Sequence, residues 1–427
     1  MQILISAGEA SGEMYGAQLI EALRRRDPLV SFFGVGGDRM RAAGCDTVVD
    51  TRDLAVVGIT EILGHLPKIY GLYQRLIREA DRRRPDLAIV IDSPGFNWRV
   101  ARQMKKRGVP TVYYVAPQFW AWRQKRVRLL RDYISKALVI FPFEERFYRD
   151  RGVDATFVGH PLAELSHPTM ERADYAAQFQ LDPTKSWITL MPGSRVKEVR
   201  MNLPTMLESA AQLGPEYEFL LPVAPTLDRE FLRSLIREGE TARDAAPEEP
   251  SHPTKNSPQA LKRVSLVRAS TARVNSCPSH SQQLARITLV PEALPALWHS
   301  RAGIIASGTA TVEAAMMATP FVMVYRVSPL TYWLGKPRVK VPRFAMVNLI
   351  AEEDVVPELV QHDFTAANVV ARLKEILSDG PARDRMLEGL ARVKARMRSS
   401  AGGFGTVQHP ADRAAEIIFR MGRQVQP

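Results

Sequence analysis

Cysteine is almost absent from this sequence: Cys45 and Cys277 are the only two among 427 residues. Two thiols cannot build a disulfide framework or a cysteine-based zinc site, so a reducing cytoplasm fits best. Long hydrophobic runs are also missing. The nearest approach to a membrane span, Ala302 to Tyr325, is broken by Glu313, by small polar residues and by Pro320. A buried strand–turn–helix–strand suits that pattern better than a bilayer crossing. The opening MQILISAGEASGE has neither a basic leader nor a long apolar region, so it does not read as a signal peptide. No histidine cluster or carboxylate pair stands at metal-ligand spacing, so neither a metal nor another cofactor is expected. Acidic residues are in deficit, 46 against 58 basic, for a formal charge of +12. That predicts attraction to polyanions, phosphorylated metabolites or anionic lipid without choosing among them.

What is present is an alternation. The runs QILIS, SFFGV, DLAIVID, TVYYVA and ALVIF are apolar throughout, as strands covered on both faces should be. Most are separated by amphipathic or basic segments; after Gly8, for example, Tyr15, Leu19 and Leu23 recur on one helical face. A second series follows: WITLM, YEFLLPV, ITLV, AGIIAS and PFVMVY. The expected fold is therefore α/β, two Rossmann-like doubly wound domains facing across a cleft, with ligands at loops beyond the carboxyl ends of strands. The first domain is placed at 1–163, the second at 164–400, and a C-terminal helical segment at 401–427 that packs back on the first domain or on a partner. From about Arg237 to Arg286 the chain is rich in Ser, Pro, Thr, Arg and Ala with no sustained periodicity. Such a composition reads as a disordered insertion.

Four strand-to-helix junctions carry polar residues. GEASGE at 8–13 lacks the lysine of a phosphate-binding P-loop and the spacing of a dinucleotide fingerprint. Glu9 and Glu13 suit a site that hydrogen-bonds hydroxyls, although the same spacing suits a helix merely capped by Ser11. IDSPGFN at 91–97 puts Asp92 at the end of an apolar strand, where it serves either as a general base aimed into the cleft or as a turn residue. MPGSRVKE at 191–198 gathers Gly193, Ser194 and Arg195 at a helix start, a combination that suits a diphosphate. SGTATVEAAM at 307–316 repeats the arrangement with Ser307, Gly308 and Thr309, and Glu313 lies one turn inside. Two such turns plus a carboxylate able to bind ribose hydroxyls suggest a nucleotide diphosphate.

Two further stretches mix apolar and basic residues. EILGHLPKIYGLYQRLIREADRRRP at 61–85 sets Ile62, Leu63, Leu66, Ile69 and Tyr70 beside Lys68 and a basic end. Such a helix can rest on a lipid surface or pack on its own sheet. In YYVAPQFWAWRQKRVRLLR, at 113–131, a buried strand leads through a rigid aromatic turn into a helix starting at RQKR.

Taken in order, GEASGE, LAVVGITEILGHL, IDSPGFN, VAPQFWAWRQKR, PFE, GHP, PGSR, SGTATVE, YRVSPLTYWL and VNLIA resemble the lipid-A-disaccharide synthase family. The resemblance runs through nearly the whole chain outside the insertion, and WAWRQKR is its most specific block. It implies a GT-B glycosyltransferase that joins UDP-2,3-diacylglucosamine to 2,3-diacylglucosamine 1-phosphate, giving a β-1′,6 disaccharide phosphate and UDP with inversion. It further implies Asp92 as the base, with Glu9 and Ser11 lining the same cleft. Gly193, Ser194, Arg195, Ser307, Gly308, Thr309, Glu313 and Asn348 would hold UDP. Ile62, Leu63, Leu66, Ile69 and Tyr70 would form the lipid-entry patch, and Arg123 and Arg126 would hold the acceptor phosphate or anionic headgroups. The same resemblance implies a peripheral protein of the inner face of the inner membrane and a homodimer with exchanged C-terminal segments. Three departures stand out: Gly95 replaces a second Asp, Glu13 replaces the commoner Asp, and the insertion is atypical.

Two alternatives compete. One is another GT-B UDP-sugar enzyme, such as a UDP-N-acetylglucosamine epimerase or a peptidoglycan-type transferase. The other is a basic nucleic-acid-binding protein, which dispersed charge and missing RNA-binding motifs disfavour, so nucleic acid is not an expected partner.

Overall fold

The computed structural model describes residues 1–8, 10–54, 59–164, 167–244, 285–328, 332–333, 341–398 and 409–425. Its first sheet has seven parallel strands: β1 Gln2–Ala7, β2 Ser31–Gly36, β3 Cys45–Asp50, β4 Leu87–Ile91, β5 Thr111–Tyr114, β6 Lys136–Val139 and β7 Ala155–Phe157. Their order is β3-β2-β1-β4-β5-β6-β7. The second sheet has six: β8 Ser186–Met191, β9 Tyr217–Pro222, β10 Arg286–Val290, β11 Ala302–Ala306, β12 Phe321–Tyr325 and β13 Glu358–Val360, ordered β10-β9-β8-β11-β12-β13. Parallel neighbours need crossover connections, and helices on both faces supply them. Burial explains the unbroken apolar runs: Ile3, Leu4 and Ile5, on alternating faces of β1, are all fully enclosed.

Strand order reverses direction between β1 and β4, and again between β8 and β11. At each reversal the flanking loops leave on opposite sides of the sheet and open a crevice beyond the carboxyl ends. The two halves touch: the short turn Pro161–Glu164 lies against the helix Thr309–Met316, and the helix Pro142–Arg149 against Met346–Ala351. The His160 amide also donates to the Met397 carbonyl at 2.9 Å.

The C-terminal helix Pro410–Val425 packs on the first helix, Ala10–Arg26. Ala411, Ala414, Ala415 and Ile418 form its buried stripe. Arg25–Asp412 at 2.6 Å and Arg26–Glu416 at 3.9 Å flank the contact, but exposed pairs of this kind add little stability. Where the sequence reading starts an insertion at Arg237, a helix continues from Arg229 to Asp244, because Leu232, Leu235 and Ile236 anchor one of its faces. Residues 245–284, the rest of that insertion, lie outside the described residues.

Candidate active site

The loop after β4 is built around Asn97, a fully buried side chain in the helix Pro94–Lys106. Its amide nitrogen donates to the carbonyls of Ile91 at 2.9 Å and Asp92 at 2.8 Å, and its oxygen accepts from Ser6 Oγ at 2.7 Å. Tyr113 donates its hydroxyl to the same Asp92 carbonyl at 2.6 Å. These bonds hold Asp92 and Ser93 at φ of +48° and +44°, a left-handed pair of non-glycine residues that only a strongly determined loop retains. Gly8 is glycine for a related reason: a Cβ there would overlap the Ser93 side chain. A Cβ on Gly12 would come within 3.7 Å of Asp92 Cβ, so the first helix also bounds the Asp92 side. At Gly95, by contrast, a Cβ would meet open space, so nothing in the packing excludes a larger residue there.

One helical turn beyond Gly12 stands Tyr15, buried on the first helix. Its phenol is pushed up to about 12, mainly by burial and further by the charges of Asp92 and Glu313. Glu313 belongs to the helix Thr309–Met316, after β11 of the second sheet, and burial raises its own carboxyl. Carboxylates from the two sheets thus act on one phenol. The sequence reading placed Tyr15 only on an apolar helix face; its i+3 relation to Gly12 was the available signal.

On the second sheet, Gly193 has φ of +123°, and a Cβ there would press on the Glu198 side chain. The Glu198 carboxylate accepts from the Ser194 amide at 3.2 Å and from Arg195 Nη1 at 2.9 Å. Arg195 stands at the N-cap of the helix Val196–Leu213, and its side chain is 78% exposed. Buried Asn202 ties the loop down, donating to the Pro192 carbonyl at 3.0 Å and accepting from the Arg326 amide at 3.0 Å. Ser307 donates to the Phe344 carbonyl at 2.8 Å, Gly308 has φ of +148°, and Thr309 is exposed at the helix start. Because β8 and β11 are neighbours, Gly193–Arg195 and Ser307–Thr309 lie at the carboxyl ends of adjacent strands.

Several expected residues occupy other roles. Asn348 is buried, and its amide is filled by its own chain: it donates to Val356 O and Glu358 Oε1, both at 2.9 Å, and accepts from the amides of Val355 and Val356. That exhausts what an asparagine side chain can bond, so in this structure the Asn348 side chain is committed to Val355, Val356 and Glu358. Glu358, missed in the sequence, also accepts from the amides of Phe344 and Ala345 at 2.9 Å. Ser11 does not cap the first helix; it lies exposed at the second position inside it. Glu13 accepts from the Arg39 amide at 2.8 Å and so fastens the helix Asp38–Ala42. Glu9 lies outside the described residues.

The helix Ile59–Arg83 runs through Pro67 without a break. The side chains of Ile62, Leu63 and Leu66 lie outside the described residues; Ile69 is half-buried, and Tyr70 is 63% exposed. Tyr73 meets Phe96 edge-on at 6.1 Å, joining this helix to the Asp92 loop. No described helix is long and apolar enough to cross a membrane. Instead of one helix from RQKR, a 3-10 turn Gln124–Arg126 precedes the helix Val127–Tyr133. Arg126 is exposed at the end of the turn and Arg123 just before it; partial burial lowers the Arg123 pKa, and the neighbouring Arg126 lowers it further.

A family model described as lipid-A-disaccharide synthetase matches residues 3–247 and 253–401. The lipid-A-disaccharide synthase of Koribacter versatilis is 47% identical over 425 residues, covering 99% of both chains. That of Acidobacterium capsulatum is 47% identical, covering 98% of this chain and 96% of the relative. That of Myxococcus xanthus is 36% identical, covering 98% and 97%. Among solved structures, UDP-GlcNAc 2-epimerase from Neisseria meningitidis superposes with a TM-score of 0.59 at 11% identity, covering 99% of this chain and 100% of the other. The calicheamicin glycosyltransferase CalG4 gives 0.56 at 16%, covering 100% and 99%. Those two likenesses concern the fold alone. With its GT-B architecture and a full-length match to curated relatives, the chain belongs to the lipid-A-disaccharide synthetase family, glycosyltransferases of lipid A biosynthesis.

Proposed function

We propose that the chain transfers a 2,3-diacylglucosamine unit from UDP to the 6-hydroxyl of 2,3-diacylglucosamine 1-phosphate. The observation that carries this reading is the convergence of Asp92 and Glu313, one from each sheet, on Tyr15. In this reading the donor is held by one sheet and the acceptor by the other, with the two carboxylates between them.

In this reading Asp92 accepts the proton of the acceptor hydroxyl as its oxygen attacks the anomeric carbon. The bond from that carbon to the UDP oxygen breaks on the opposite face, so an α-linked donor yields a β-linked product. Backbone amides at Gly193, Gly308 and Thr309 and the Ser307 hydroxyl, joined by the Ser194 amide and the Arg195 guanidinium once these turn from Glu198, hold the leaving diphosphate and stabilise its charge. Glu313 accepts from donor hydroxyls, and Asn348 acts through the turn it holds. Ser11 lies at the mouth of the same cleft.

Arg123 and Arg126 meet the acceptor phosphate. The helix Ile59–Arg83, with Tyr70 exposed and Lys68 beside it, rests on the inner face of the inner membrane, from which both acylated substrates are drawn. A homodimer that exchanged C-terminal helices would keep the contact between Pro410–Val425 and Ala10–Arg26 and change only which chain supplies it.

The test is direct. Purified protein given both acylated sugars should release UDP and form the disaccharide phosphate. Turnover of unacylated UDP-N-acetylglucosamine at a similar rate, or no disaccharide at all, would reject the substrates named here.

A further inference from the structure

The family blocks PFE and GHP have no part in the chemistry above, and PFE begins a helix, Pro142–Arg149, that reaches under the aromatic turn. Pro142 at the first helical position fixes the start, and Glu144 returns to the Phe141 amide, 3.1 Å from its Oε2. A capping glutamate needs no more than that bond and normally remains wet. Glu144 is fully buried, and its other oxygen accepts from the indole nitrogen of Trp120 at 2.9 Å. Among the described residues no cation is paired with it, and burial pushes its carboxyl up to about 8 despite the hydrogen bonds from Trp120 and from the Phe141 and Ile140 amides. A buried acid without a cation is costly, so a chain that keeps one here gains something beyond a helix start.

Tyr148 lies one turn further along the same helix face, also fully buried, and donates its hydroxyl to the Pro117 carbonyl. Both side chains therefore end on the same object, the turn PQFWAW. Further contacts reinforce the grip: Phe143 meets the Trp120 ring edge-on at 5.0 Å, and Gln124 Nε2 donates to the Trp120 carbonyl at 3.0 Å. The chain leaving this turn is Arg123, whose amide bonds back to Phe119 at 3.2 Å.

We propose that Glu144 and Tyr148 are positioning residues, a buried clamp that sets the aromatic turn and through it aims Arg123 at the phosphate of the acceptor. The inference rests on the reading of Arg123 given above. Neither clamp residue touches substrate. Each acts by geometry, since a charged group misplaced by a fraction of an ångström loses much of its bond to a phosphate.

The experiment compares full-length Arg123→Ala, Glu144→Gln, Trp120→Phe, Tyr148→Phe and the Glu144→Gln/Trp120→Phe double variant, with KM measured for each substrate. Glu144→Gln should raise the acceptor KM about tenfold and leave the UDP-sugar KM within about twofold, as Arg123→Ala does. The double variant should be hardly worse than Trp120→Phe alone, because the bond between the two side chains is already gone. Tyr148→Phe removes a single hydroxyl and should move the same KM in the same direction, which keeps the test open if Glu144→Gln folds poorly. An acceptor KM unchanged in both Glu144→Gln and Tyr148→Phe, with Arg123→Ala impaired, would overturn the clamp while sparing the role of Arg123. Equal losses in both substrates' KM, or additive losses in the double variant, would reduce Glu144 to a structural residue. An unimpaired Arg123→Ala would instead remove the reading beneath the proposal.

Discussion

Ser6 donates its hydroxyl to the side-chain oxygen of Asn97 at 2.7 Å, joining the carboxyl end of β1 to the helix that follows β4. The same asparagine holds the carbonyls of residues 91 and 92, so the direction of the Asp92 side chain is decided by a neighbour five positions on. Asn97→Ala would remove the bonds to the Ser6 hydroxyl and the Ile91 carbonyl and leave the Asp92 carbonyl with Tyr113 alone. It should cost about 3 kcal/mol of stability, measurable by urea denaturation, and lower kcat about tenfold with the UDP-sugar KM little changed. Asn97→Asp keeps the acceptor and loses the donor, so it should not rescue turnover. Full activity in both variants would show that these bonds do not aim Asp92.

Asp92→Asn tests the base itself. The amide fits the same space and cannot accept the proton, so turnover should fall by about a hundredfold or more while UDP binding by calorimetry stays nearly intact. A variant that turns over normally would remove Asp92 from the role.

Arg195 is mostly exposed and pairs with Glu198, three residues on. Exposed pairs at that spacing add only about 0.5 kcal/mol, so Arg195→Ala should melt close to the parent. If the guanidinium holds diphosphate, the same variant should raise the UDP-sugar KM about tenfold or more and leave the acceptor KM alone. A loss confined to the acceptor would place the nucleotide elsewhere.

Glu144 makes stability depend on pH in a definite sense. Its folded carboxyl titrates at about 8 against an ordinary value of 4.5, so the folded chain binds the proton more tightly than the unfolded chain. The resulting stability is present below the unfolded value and is lost as pH rises through the folded one. Tyr148, on the next turn, feels Glu144 and keeps its own proton throughout this range. Between about pH 6 and 9 the parent should therefore lose more melting temperature than Glu144→Gln, which has nothing to ionise there. Parallel pH profiles from calorimetry would contradict this.

Some of the site was legible in the chain itself. Asp92, Arg195 and Ser307 each follow an apolar strand and precede a helix, and strand ends in a doubly wound sheet are where side chains meet ligands. The surroundings of Asn348 were not legible, because an asparagine in a family block looks the same whatever it bonds; only the fold shows its four bonds to its own chain. Glu144 was invisible for the opposite reason. A glutamate three residues into a helix reads as an ordinary cap, and nothing local announces that Trp120 covers it.

By itself the sequence determined the two parallel sheets, because strands enclosed on both faces must be apolar at every position and that pattern needs no knowledge of neighbours. It also determined where polar residues break those runs. Only tertiary structure decided which of them stand near one another: Tyr15, Asp92 and Glu313 come from separate crossovers and two different sheets. Their proximity follows from how the halves pack, a long-range property that no local periodicity encodes.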